Sequence, residues 1–191
     1  MVNNNHYFIE GNSTPNGNTE LPKDFIDEAD THVRKANQSL KRKYPTNNEY
    51  VNNLLRRNWA QVSNSDAIFA ISNGFDNAGN VKGGTGWAVQ MALDNDKTVY
   101  VFDQTKKQWF TKISGLWMPI DTPTLTKEFA GIGTREINDA GITAISNVYL
   151  ATRKALSSKD KSGPSGPVQG NLFDDPDQRM NDRLDDGSNL C

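Results

Sequence analysis

The sequence predicts an α/β fold, a mainly parallel sheet flanked by helices with a small β-hairpin insertion, followed by a disordered C-terminal tail. Three observations carry that expectation. Residues 66–71 (Asp-Ala-Ile-Phe-Ala-Ile) and 98–102 (Thr-Val-Tyr-Val-Phe) are short runs apolar almost throughout, as strands covered on both faces are. Segments with apolar residues at helical spacing alternate with them. From Ser157 onward Pro164, Pro167, Pro176, Gly163, Gly166 and Gly170 join an Asp-rich end that has few apolar residues.

The elements follow in order. Residues 7–9 (Tyr-Phe-Ile) read as a short buried strand closed by the turn chemistry of residues 10–15. Phe25, Ala29, His32, Val33, Ala36 and Leu40 recur at helical spacing until Tyr44-Pro45 stops the pattern. A second helix is expected over 48–63, with Val51, Leu54, Leu55, Asn58, Trp59 and Val62 on one face. After strand 66–71, Gly83-Gly84-Thr85-Gly86 opens a helix through about Asp94, which leads into strand 98–102. Residues 108–120 resemble a hairpin turning at Ser114-Gly115, as a lid or an edge ribbon. Residues 129–132 form a last short strand that runs through Gly133-Thr134 into a helix with Ile137, Ala140, Gly141, Ala144, Ile145, Val148 and Ala151 as its core stripe. One domain over 1–156 and a tail over 157–191 is the resulting organisation.

Composition excludes several classes. With 191 residues, 35% hydrophobic and 23% charged, the chain has the make-up of one globular domain. A net charge of −2 and pI ≈ 5.7 leave no basic footprint for duplex nucleic acid or an anionic membrane. The tail holds 4 of the 21 basic and 7 of the 23 acidic residues and carries −3, so the rest lies near +1. Its Leu172-Phe173 pair has the form of a short docking motif, although a solvated tail is the favoured reading. The single cysteine, Cys191, precludes a disulfide framework and a thiolate zinc site, and His6 and His32 stand far apart. No metal and no cofactor are expected. No membrane span or targeting segment is visible, and a cytoplasmic location is expected.

Two strands each end in a glycine turn, at Gly83-Gly84-Thr85-Gly86 and at Gly133-Thr134-Arg135. Glycine lets a ligand approach the backbone, and free N–H groups at a helix start favour an anion such as phosphate. Tight strand-to-helix packing would explain either turn taken singly. Both together, at the carboxyl ends of strands, point to a ligand site. Asn58 falls on the apolar stripe of its helix, where a polar amide needs a partner, a ligand or a backbone group. Arg57 and Gln61 flank it, whereas Arg56 reads as a solvated charge.

These residues resemble a known group. Gly83-Gly84-Thr85-Gly86-Trp87-Ala88, with Arg57-Asn58-Trp59-Ala60-Gln61-Val62 and strand 66–71, looks like the SLOG superfamily of Rossmann-like domains. That superfamily includes the LOG phosphoribohydrolases, DprA-type proteins and small phage proteins. Residues 129–136 (Phe-Ala-Gly-Ile-Gly-Thr-Arg-Glu) are similar to the opening strand and turn of the phage-type members, so the order here is that of a circular permutation. The family's middle glycine-rich turn has no counterpart, and strand 7–9 with residues 10–14 is the segment available to fill its place. The resemblance spans roughly 50–150 and implies a site for a nucleotide or an ADP-ribose-like ligand. The LOG motif ends in a catalytic acid; the equivalent residue here is Gln90, which can serve neither as nucleophile nor as base, and Trp87 replaces the motif's Thr.

The leading expectation is a domain that binds a nucleotide-derived small molecule, with phosphates on 83–86 and 133–135. Lys82, Arg57 and Arg135 would neutralise charge; Asn12, Asn58 and Gln61 would read hydroxyls. Thr85 and Trp87 belong to the same expected site, and a homo-oligomer is expected. Sequestration of a host signalling nucleotide is the use the phage likeness implies. The alternative is an N-glycoside hydrolase or deoxyribosyltransferase using Glu10 or Glu136 as the acid.

Overall fold

A computed structural model describes residues 7–8 and 19–160. Glu10, Asn12 and the whole of 161–191, including Leu172-Phe173, lie outside the described residues. The elements are β1 (Tyr7–Phe8), β2 (Thr19–Glu20), α1 (Lys23–Leu40), α2 (Glu49–Ser63), β3 (Ala67–Ser72) and α3 (Thr85–Leu93), followed by β4 (Thr98–Asp103), β5 (Gln108–Ile113), β6 (Leu116–Ile120), β7 (Phe129–Gly133) and α4 (Asp139–Asp160).

The main sheet has the order β6-β5-β4-β3-β7. β3 lies between β4 and β7 and is parallel to both, while β5 and β6 continue the sheet antiparallel. The 108–120 hairpin is therefore an edge ribbon, turning at Ser114 and Gly115 with φ 48 and 83. β3 is buried at every position, as its unbroken apolar run requires. Ile68 and Ala70 face one side, where they pack with α1, α2 and α3; Ala67, Phe69 and Ile71 face the other, where Ala144 and Val148 of α4 meet them. Among the described residues three helices thus cover one face and α4 covers the other. The 7–9 run does not enter this sheet: β1 pairs in parallel with β2 as a separate two-stranded unit. Three apolar residues are too few to decide between joining a sheet and pairing locally. α4 continues to Asp160, past the expected boundary at Ser157. Among the described residues no helix is long and apolar enough to cross a membrane.

The helix stripes hold for α1, whose buried residues are Ala29, Val33, Ala36 and Leu40. In α2 the buried amide is Asn52, 2% exposed, and Asn58 is only half-buried. Asn52 is a structural bracket. Its Oδ1 accepts from the N–H and hydroxyl of Thr46, both at 2.8 Å, and its Nδ2 donates to Thr46 O and Glu49 Oε2. Asn52→Leu strands the Thr46 N–H and is expected to cost about 2 kcal/mol, read by urea denaturation; an unchanged midpoint would contradict the bracket. Arg56 is no solvated charge either: 15% exposed, it pairs with Asp30 and Glu49. Burial works against the Asp30 carboxylate, but hydrogen bonds from Tyr44, Arg34 and Arg56 outweigh it and hold its pKa below the ordinary value.

Candidate functional site at the strand carboxyl ends

The ends of β4, β3 and β7 lie in register, with Ser72 opposite Asp103 and Ile71 opposite Gly133. Two further backbone bonds prolong the ladder, Gln104 N to Ser72 O at 2.9 Å and Thr134 N to Ile71 O at 3.1 Å. From there the chain departs in opposite directions. β3 leads to α3, which packs on the Ile68 and Ala70 face, whereas β7 leads to α4 on the Phe69 and Ile71 face. Adjacent parallel strands whose connections leave to opposite faces open a crevice between them, the place where ligands enter open α/β sheets.

The loop from β3 to α3 is folded on itself before it reaches the glycines. The Asp76 carboxylate accepts from the backbone N–H of Asn80 and Ala78, and these bonds hold it below the usual carboxylate range. Phe75 bridges Val81, and Lys82 N donates to Gly74 O. Arg42, just beyond α1, clamps the loop by donating to Val81 O and Gly83 O, both at 2.8 Å. Gly83 takes φ +70, which favours glycine, but Gly84 is ordinary helical backbone and a Cβ on it would meet nothing within 4 Å. Among the described residues no side chain caps α3. Lys82, Gly83 and Gly84 are exposed; Thr85, Gly86 and Trp87 are buried and belong to the core. Gln90 lies farther along α3 and donates to Asp94.

The second glycine turn differs from its expectation. Gly133, Thr134 and Arg135 do not open a helix: α4 starts at Asp139, where Asn138 Oδ1 accepts from Gly141 N at 3.0 Å. The intervening segment is held by Gln104, 2% exposed, whose Nε2 donates to Asn73 Oδ1 and Glu136 O and whose Oε1 accepts from Asn138 N at 2.8 Å. With Asn138 supplying the cap and Gln104 holding the carbonyl before it, winding begins four residues later than the glycine spacing suggests. Gly133 remains open, since a Cβ there also meets nothing within 4 Å, and Arg135 and Glu136 are exposed beside it. An apolar cavity of ≈ 240 Å³ borders this turn, lined by Phe69, Ile71, Phe129, Gly131, Gly133 and Tyr149 among others.

Arg57, Asn58 and Gln61 lie half-buried on α2. The carboxyl end of that helix adjoins the start of β4, because Lys97 Nζ donates to Ser63 O and Ser65 O. Gln61 therefore sits toward the amino ends of the strands, away from Gly83 and Gly84. Arg57 Nε is buried without a hydrogen-bond partner among the described residues.

Asn73, Asp103, Gln104 and Arg42 are site residues that the sequence reading missed. Asp103 is 1% exposed and accepts from the Thr105 hydroxyl and N–H. Gly74, at φ +92, lies where a Cβ would be 3.0 Å from that carboxylate. A polar pair directly after an apolar strand was the available signal for Asp103-Gln104. Arg42 offered none, because its partners lie about 40 positions along the chain. Comparison with protein-family models, curated proteins and solved structures gives no match for this chain.

Proposed function

We propose that the chain binds a nucleotide-derived small molecule across the carboxyl ends of β3 and β7. The observation that carries this reading is the opposite departure of the chain from those two strands, with open glycines on both sides of the crevice. The uncapped start of α3 with Lys82 would receive a phosphate, and Arg135 a second anionic group. The SLOG likeness of the same two turns supports the reading, and sequestration of a signalling nucleotide is the use we propose for it.

Gly84→Asp is the direct test. The position tolerates a side chain, so the fold should survive while a carboxylate repels phosphate and fills the approach. Calorimetric titration with nucleoside mono- and diphosphates and with NAD should show binding by the wild type and at least tenfold weaker binding by the variant. Equal binding by a folded variant would refute the assignment. Chromatography of the recovered nucleotide separates holding from turnover: free base would favour N-glycoside hydrolysis, with exposed Glu136 the acid to replace first.

A further inference from the structure

We propose that the exposed face of α4 is the interface of a two-fold symmetric dimer, in which α4 packs antiparallel on α4 of a second copy of this chain. From Ala140 to Thr152 no residue carries a charge, although the helix lies at the surface. By contrast α1, also at the surface, exposes Asp24, Asp27, Glu28, Arg34 and Lys35. The buried side of α4 uses small or β-branched residues, Gly141, Ala144 and Val148. Its outward side presents Ile142, Tyr149, Leu150 and Leu156, exposed by 53%, 50%, 54% and 60%. Residues 142, 149 and 156 recur at seven-residue spacing along this side with 150 beside them, the pattern of a helix face that buries against another helix, whereas Ile145 lines the cavity between α4 and the sheet.

Charge selects the occupant. The stripe is flanked by Asp139 at its amino end and by Arg153 toward its carboxyl end, both exposed. A two-fold axis beside Ser146 sets Asp139 of each copy against Arg153 of the other and Ile142 against Leu150, because these pairs are equally spaced about that position. A small residue at the axis lets the two helices approach closely. About that axis the patch around Ser146 meets its own copy through the Asp139–Arg153 and Ile142–Leu150 pairs, as an isologous contact requires. The segment 161–191 is a poorer fit: its Leu172-Phe173 pair is short against a stripe of roughly 21 Å from Ile142 to Leu156 at 1.5 Å per residue.

Sedimentation velocity on the full chain tests this, with a dimer of twice 21.2 kDa expected at micromolar concentration. Arg153→Glu places like charges at both ends of the contact and should weaken association at least tenfold. Adding Asp139→Arg in the same chain should restore it, because the swap recreates both pairs. Leu150→Glu, at an exposed position, should yield a folded monomer by circular dichroism. A monomeric wild type would overturn the proposal, including one in which removal of 161–191 raises dye binding and so reveals the tail as the cover. A dimer indifferent to Arg153→Glu and Leu150→Glu would overturn it as well.

Discussion

Gly86→Ala is expected to destabilise the domain by roughly 3 kcal/mol or more, at the upper end of the cost of overpacking. The added Cβ would stand 2.0 Å from the carbonyl oxygen of Val81, 3.0 Å from its carbon and 3.0 Å from Arg42 Nη1. Two of these three atoms are backbone, and Arg42 itself is fixed to Val81 O and Gly83 O, so no flexible side chain can yield. Either α3 tilts away from the loop or the loop leaves its clamp. A thermal melt should fall by roughly 10 °C. Gly84→Ala, two positions earlier, is the control: its backbone is helical and its surroundings are open, so stability should hold or rise by about 0.5 kcal/mol. Equal melts for Gly86→Ala and the wild type would show that the loop does not press on α3 there.

The second large effect is expected at Gln104. Its amide makes three hydrogen bonds, to Asn73 Oδ1 at 2.7 Å, to Glu136 O at 3.0 Å and from Asn138 N at 2.8 Å, and it is buried. Gln104→Leu keeps the bulk but strands those partners, each costing about 1 kcal/mol or more where water cannot replace the bond. A loss of roughly 3 kcal/mol is expected. Hydrogen exchange gives the sharper readout. Amides from Glu136 to Ile142 should lose protection first, because Gln104 ties the start of α4 to the ends of β3 and β4. Unaltered exchange in that segment would mean that Asn138 alone fixes the helix start.

Much of the architecture was legible because it rests on local periodicity. The unbroken apolar runs of β3 and β4, the stripe of α1 and the Ser114-Gly115 hairpin each depend on residues a few positions apart. A turn at 83–86 was equally readable, but its positive φ falls on Gly83 alone, which the run of glycines does not single out. The site was legible in part. Gly133 ends β7, whereas Gly83 and Gly84 follow the end of β3 at Ser72 by a folded loop, and Asn52 and Asn58 stand roughly 120° apart around the α2 axis, with the buried side nearer Asn52 than the apolar spacing implies. Arg56 looked solvated because its partner Asp30 sits on another helix, 26 positions earlier.

The sequence by itself determined the alternation of strands and helices, the hairpin and the stripe of α1. Only the tertiary structure decided that β7 lies beside β3, that their connections leave to opposite faces, and that Gln104, Asn138 and Arg42 hold the crevice in shape. The division has a physical reason. Helical and extended periods are set by backbone geometry within a few residues, so they are written into the local sequence. Strand neighbours, buried hydrogen bonds and ion pairs are chosen by contacts among segments distant in the chain, where the same polar residue is a solvated surface group or a fixed bracket according to what the fold brings against it.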